Sequence, residues 1–232
     1  MNFLDLIFPR RCLGCNRLGS YICNACRTTL DLRGQRCPEC DRPAIDGMTH
    51  PICLRPLGLD GLVTVFENRG IIKKAIKSLK YRFVYDAAEE LVNLVPDSAL
   101  QNLPIKSNSW ALYPIPLHKD RLRWRGFNQA EKLGQFVAQR LKMKMIDGLL
   151  VRTVKRTPQA DISRREDRIQ NAQGLFQLNK LSTSNLPAGR QGSQLSILLF
   201  DDVWTTGATM KEAVKVLKRS GLGKVWGMTL AR

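Results

Sequence analysis

All seven cysteines of this 232-residue chain lie before residue 54, at Cys12, Cys15, Cys23, Cys26, Cys37, Cys40 and Cys53. They form three C-x-x-C pairs and one single cysteine, which His50 accompanies as His50-x-x-Cys53. In a reducing compartment such pairs point to metal rather than to disulfides, because the thiols stay free to ligate. A segment of this size buries too little apolar surface to hold itself together and needs a staple. Cys12, Cys15, Cys23 and Cys26 are spaced as the two knuckles of a structural zinc site. Cys37, Cys40, His50 and Cys53 offer three thiolates and an imidazole to a second tetrahedral zinc. The alternative is that His50 is an exposed loop residue and the second site is lost. Sequential pairing of the knuckles is the working choice, with interleaved pairing as the other option. The chain is expected to divide into a zinc-binding module over residues 1–60 and a larger domain over 61–232.

The hydrophobic and charged fractions, 44% and 25%, are those of a globular chain rather than a disordered one. No apolar run is long enough to cross a membrane. The opening Met1–Pro9 contains Asp5 and runs into Arg10-Arg11, whereas a secretory signal puts its charge first and a longer apolar stretch after it. A cytoplasmic protein without membrane insertion is expected. The net charge is +17, and it is unevenly spread: residues 1–60 hold 8 Lys/Arg against 6 Asp/Glu, so the larger domain carries nearly all the excess. That excess favours a polyanionic ligand, either a phosphorylated metabolite or nucleic acid.

From Gly61 the texture becomes that of an α/β domain. Leu62–Phe66 reads as a strand, Ile71–Leu79 as a helix with Ile72, Ile76 and Leu79 on one face, and 85–95 as a second helix. Trp110–Tyr113 is a buried strand leading into Pro114-Ile115-Pro116, and Asn128–Leu141 is a long helix with Leu133, Val137 and Leu141 aligned. Leu149–Val154 is a candidate strand, and residues 179–195, rich in Ser, Asn and Gly, read as an insertion. The last segment is the clearest: strand Ser196–Phe200, loop Asp201–Ala208, helix Thr209–Ser220 and strand Lys224–Leu230. Strand, loop, helix and strand form the unit of a parallel sheet.

The loop of that unit has a direct chemical reading. In open α/β sheets ligands sit at the carboxyl ends of strands. Thr205, Thr206, Gly207, Ala208 and Thr209 offer consecutive N–H groups at the positive end of a helix, which suits a phosphate. Gly207 permits close backbone approach. Asp201 and Asp202 suit ribose hydroxyls, or Mg²⁺ held through the sugar. The run could instead be the acid-ended strand of an ATPase, but the chain has no G-x-x-x-x-G-K-[ST]. It could also be a capped helix with no ligand. The whole run resembles the phosphoribosyl pyrophosphate site of type I phosphoribosyltransferases.

Three further segments narrow the resemblance. Ile76-Lys77-Ser78-Leu79-Lys80-Tyr81, Pro114-Ile115-Pro116-Leu117-His118 with Arg125-Gly126-Phe127-Asn128-Gln129, and Thr157-Pro158-Gln159 with Arg168, Asn171 and Phe176 are similar to motifs of the ComF family. With the cysteine module, the likeness spans nearly the whole chain. It implies an α/β, type I phosphoribosyltransferase fold behind a double zinc ribbon. It also implies that Pro114–Lys119 is a pyrophosphate loop with His118 and Lys119 as donors, and that Arg125, Gln159 and Arg168 assist. On residue chemistry alone, His118 is equally an ordinary polar loop residue. Arg121, Arg123 and Arg125 alternate with Leu122 and Trp124, and could neutralise pyrophosphate or track a nucleic-acid backbone with Trp124 as a stacking surface; a solvated charged face is the plain alternative. Lys155, Arg156, Arg164, Arg165 and Arg168 fit a loop closing over the site.

The resemblance therefore implies a ligand, phosphoribosyl pyrophosphate or a related ribose phosphate with Mg²⁺, and transfer of the phosphoribosyl group to an unidentified acceptor. The setting it implies is DNA uptake in natural competence, or nucleotide metabolism. Amidotransfer from glutamine is not expected, since the cysteines read as ligands and the chain begins Met1-Asn2. The competing expectation is a non-catalytic protein that binds single-stranded DNA or a nucleotide with the same fold and docks a DNA-uptake helicase.

Overall fold

A computed structural model describes residues 9–81, 85–105, 109–153, 173–179 and 195–232. After a short helix in the cysteine module (α1, Asn24–Arg27), the chain enters strand β1 (Gly61–Phe66). Helices α2 (Gly70–Tyr81), α3 (Tyr85–Asn93) and α4 (Asp97–Gln101) lead to β2 (Trp110–Pro114). Next come α5 (Lys119–Arg125), α6 (Gln129–Leu141), β3 (Lys144–Met145), β4 (Leu150–Arg152) and β5 (Phe176–Leu178). The chain closes with β6 (Ser196–Val203), α7 (Ala208–Arg219) and β7 (Val225–Ala231). The main sheet has the order β1-β7-β6-β2-β3 and every pairing in it is parallel. β4 and β5 form a separate antiparallel pair. This is the parallel α/β sheet behind a cysteine module that the resemblance implies.

The strands read as continuous apolar runs because helices cover both faces. Ile197, Leu198, Leu199 and Phe200 of β6 are fully buried. α2, α3 and α6 share one core with Leu198 and Phe200, whereas α7 and the β4–β5 pair share another with Ile197 and Leu199. One boundary differs from the sequence reading. β6 runs on through Asp201, Asp202 and Val203, because Asp201 and Val203 keep their ladder positions opposite Thr229 and Ala231. The loop proper is therefore only Trp204–Gly207. Residues 119–125, to which the sequence reading assigns no element, form a helix.

The cysteine module is built into this sheet domain. Ile22, Cys12 and Cys26 belong to the same core as α2 and α3. The free edge of β1 is covered by residues 31–35: Leu32 bridges Phe66, and the Gln35 amide exchanges two hydrogen bonds with the backbone of Thr64 (2.9 and 3.1 Å). Gln35 thus takes the place of a strand neighbour, which hides an edge that would otherwise invite pairing. On the helical side, the Glu90 carboxylate of α3 accepts the N–H groups of Tyr21 (3.0 Å) and Ile22 (2.8 Å). Hydrogen bonds to a charged acceptor contribute more than neutral ones. Glu90→Ala is expected to cost about 1.5–3 kcal/mol and to increase proteolytic cleavage within residues 9–60. Urea unfolding and limited proteolysis of the full chain measure both effects.

Candidate functional site

Each half of the cysteine module gathers one set of ligand atoms. Cys12, Cys15, Cys23 and Cys26 form one group and Cys37, Cys40, His50 and Cys53 the other, all ligand atoms in a group lying within 4.8 Å of one another. The knuckles therefore pair in sequence. Burial pushes the Cys12 thiol up, but the N–H groups of Cys23, Cys15 and Gly14 outweigh it and bring it down to about 6. The backbone N–H of Arg42 brings Cys40 down to about 6 as well. Burial and then the neighbouring Cys40 push Cys53 up to about 11. One thiolate per set is thus favoured by backbone dipoles, and its neighbours resist ionising beside it. A divalent cation removes that conflict.

His50 is oriented as a ligand. Its Nε2 donates to the Pro43 carbonyl at 3.0 Å, which leaves Nδ1 unprotonated and 3.3 Å from Cys40 Sγ. A carbonyl partner on the far nitrogen is the usual support of a metal-bound imidazole. The donor set of soft thiolates with one imidazole suits zinc and closes the site without an open position, so its role is structural.

The second site lies at the carboxyl ends of β6 and β2. From β2 the chain proceeds outward to β3, and from β6 it proceeds the opposite way to β7, so the order reverses between these two neighbours. Such a reversal opens a crevice at the strand ends. The Ile115 N–H donates to the Phe200 carbonyl at 2.9 Å, which sets the Pro114–Pro116 turn beside Asp201. Asp201 accepts the Asp202 N–H at 2.9 Å; Asp201 is half-buried and Asp202 buried. Gly207 has φ +73 and caps α7, and a Cβ there would stand 2.1 Å from the Trp204 ring. Only glycine fits both that backbone and that contact. Thr206 Oγ1 accepts the Ala208 N–H (3.3 Å), Thr205 is exposed, and Thr209 lies in the first turn of α7.

On the facing side, Pro114 ends β2, Ile115 is buried and Pro116 half-buried. His118 is buried and caps α5, its Nδ1 accepting the Asp120 N–H at 3.2 Å, so only Nε2 is left to donate. Lys119 is exposed at the start of α5. Arg125 donates to Gln129 Oε1 at 3.4 Å. Asn128 and Gln129 act as braces: Asn128 donates to the Ile115 carbonyl (3.0 Å) and caps α6, while Gln129 donates to the Ile76 carbonyl (3.1 Å). The Gly126-Phe127-Asn128-Gln129 run thus ties the proline turn to α2 and α6. Gln159 and Arg168, with the other basic residues of 155–168, lie outside the described residues.

Arg152 at the end of β4 is a residue the sequence reading passed over. Burial, and then neighbouring Arg121, pull its guanidinium down to about 10, while Asp201 pulls it partly back up. It also lies over the Phe176 ring at 5.8 Å. The crevice therefore has a cationic wall of Arg121 and Arg152 near Asp201. A charged residue closing the short Leu150–Arg152 strand was the available signal. Among the described helices, none is long and apolar enough to cross a membrane.

Residues 3–55 match the family model described as Double zinc ribbon domain. Over most of its length the chain is similar to Competence protein F of Haemophilus influenzae, at 29% identity over 95% of this chain and 90% of that protein. It is likewise similar to DNA utilization protein YhgH of Escherichia coli strain K12, at 29% over 98% and 99% of the two chains. Competence protein ComFC of Bacillus subtilis strain 168 is 26% identical over 91% of this chain and 84% of its own.

Metal analysis of the purified protein is expected to return two zinc ions per chain. His50→Ala is expected to retain the first and lose the second, read by native mass spectrometry; retention of both would remove His50 from the ligand set.

Proposed function

The chain belongs to the ComF family, and from that premise we propose that it serves competence or DNA utilisation by binding a ribose 5-phosphate bearing ligand, phosphoribosyl pyrophosphate with Mg²⁺, in the β2–β6 crevice. The observation that carries this reading is the join of Asp201-Asp202 to the Trp204–Gly207 turn at the start of α7, directly beside the proline turn after β2. The N–H groups of 205–209 would receive the 5-phosphate at the positive end of α7. Asp201 and Asp202 would accept the ribose hydroxyls. Lys119 and Arg125, with Arg121 and Arg152 behind them, would take the pyrophosphate.

Mg²⁺ would neutralise pyrophosphate, and adjacent carboxylates at the strand end are the hard oxygen donors such an ion prefers. In transfer, an acceptor nucleophile bonds to C1 as the C1–O bond to pyrophosphate breaks. The acceptor's proton leaves to solvent or to pyrophosphate. The chain's part is to hold sugar and leaving group in line and to stabilise the departing charge.

A second reading, binding of single-stranded DNA without turnover, is favoured by Trp124. It is 72% exposed on α5, on a helix that also bears Arg121, Arg123 and Arg125. An exposed indole among arginines is the ordinary surface for stacked bases and a phosphate backbone.

Isothermal titration of the wild type with phosphoribosyl pyrophosphate and Mg²⁺ is expected to show binding that Asp202→Ala weakens about tenfold, a difference of about 1.4 kcal/mol. No binding by the wild type sinks the first reading. Pyrophosphate release across amine and nucleobase acceptors then tests turnover. For the second reading, affinity for single-stranded DNA should fall steeply with salt, and a flat response counts against it.

A further inference from the structure

The Cys12–Cys15 and Cys37–Cys40 knuckles, the first of each ligand set, are built alike, so each serves as a control for the other. In both, the residue after the second cysteine has left-handed backbone, Asn16 at φ +64 and Asp41 at φ +59. In both, its N–H donates to the carbonyl of the first cysteine, at 2.8 and 3.0 Å. The turn accepts Asn or Asp there equally. It requires neither a carboxylate at that position nor a charge just before the second cysteine. The first knuckle has Gly14 and Asn16 at these places, whereas the second has Glu39 and Asp41.

The difference matches what each knuckle meets. A Cβ on Gly14 would stand 2.7 Å from the Cys26 sulfur and 2.8 Å from Ile71, so Gly14 lets the first knuckle close on its own ligand set and approach α2. The second faces the loop after β6. Glu39 accepts from Lys211 Nζ at 2.9 Å, and the Lys211 backbone N–H donates to the Gly207 carbonyl at 2.8 Å. Asp41 pairs with Arg232 at 2.6 Å. The Arg232 guanidinium lies 5.4 Å from the centre of the Trp204 ring, the same ring that Gly207 packs against. The two carboxylates therefore reach both ends of Trp204–Gly207. Between them lies a cleft of about 550 Å³ whose lining includes Glu39, Asp41, Trp204, Thr205, Thr206 and Arg232. Lys211 and Arg232 line the same cleft, so both ion pairs lie in its wall.

We propose that Glu39 and Asp41 are positioning residues for the phosphate loop: the second zinc knuckle holds Trp204–Gly207 in the geometry that presents its N–H groups, and the loop's affinity for a phosphate depends on that hold. The inference rests on the reading of this loop as the ribose-phosphate site. Partly exposed ion pairs contribute little to global stability, so the effect is local. A merely structural pair would leave the loop's order and its ligand affinity unchanged.

The test uses the full zinc-loaded chain, with Glu39→Gln/Asp41→Asn as the neutral double variant and Glu39→Lys/Lys211→Glu as the exchanged pair. The readouts are zinc content, amide hydrogen exchange, and titration with ribose 5-phosphate. The double variant is expected to keep both zinc ions and the protection of β6 and β7, while exchange across 204–210 rises about tenfold and ribose 5-phosphate affinity falls about tenfold. The exchanged pair is expected to recover most of both losses relative to Glu39→Lys alone. Unchanged exchange across 204–210 in the double variant overturns the proposal. So does a rise that accompanies zinc loss and spreads over the whole module, since that is collapse rather than positioning. If the wild type itself binds no ribose 5-phosphate, the proposed function fails, and the exchange data still decide whether the knuckle orders the loop.

Discussion

The parallel pairing of β6 on both of its edges is the constraint on which the rest depends. With β2 on one side and β7 on the other, β6 must be apolar on both faces, and Ile197 to Phe200 meet that demand with complete burial. Its hydrogen-bonding capacity is used up along the ladder, so freedom returns only where the strand ends. The last bond on the β2 side, Ile115 N–H to Phe200 O, brings the proline turn to Asp201. Two loops from distant parts of the chain thereby share one crevice. Helices on opposite faces then follow: α6 and α7 leave the reversal in opposite directions along the sheet. The crevice is the place where the regular structure leaves backbone groups unspent, as at the strand ends of other open parallel sheets.

The zinc ribbons act on this architecture from the side. A small cysteine module could be tethered loosely to a larger domain, but this one contributes to the larger core through Cys12, Ile22 and Cys26 and completes the edge of β1 through Leu32 and Gln35. The two halves use different chemistry for the same task. The first docks by apolar contact and by the Glu90 carboxylate, whereas the second reaches the crevice rim by ion pairs. Metal binding therefore organises more than the module itself. It sets the position of carboxylates that sit between or beside cysteine ligands, because the knuckle turn dictates where they point.

Much of this was legible in the sequence. Apolar runs located β1, β2, β6 and β7, helical spacing located α2, α6 and α7, and knuckle spacing gave both ligand sets with His50 among them. The misjudged parts are those where pairing or capping overrides local pattern. Asp201 and Asp202 look like loop residues, yet the ladder to β7 extends through them because a neighbouring strand supplies the hydrogen bonds. Arg121–Arg125 carries no clear helical pattern, yet His118 caps a helix there and Gly126 at φ +80 ends it. Asn128 begins α6 where the helical spacing puts it, and His118 caps α5 through Nδ1, which leaves Nε2 outside that cap. The charge of Arg152 at the end of a short strand was legible, but its nearness to Asp201 was not, because the two are distant in sequence.

The contacts between Glu39 and Lys211 and between Asp41 and Arg232 mark the limit of sequence reasoning more sharply. Each joins residues more than a hundred positions apart, and each residue alone reads as one more surface charge. Their meaning comes from comparison of the Cys12–Cys15 and Cys37–Cys40 knuckles, which share a backbone turn and differ at three side chains, Leu13 against Pro38, Gly14 against Glu39 and Asn16 against Asp41. A turn that folds equally well with Gly14 and Asn16 does not need Glu39 and Asp41 for its own stability. The carboxylates are then best explained by what lies across the cleft, and across the cleft lies the short loop whose shape depends on Gly207 and Trp204. The second knuckle and the Trp204–Gly207 loop thus face one cleft and are joined across it by charge.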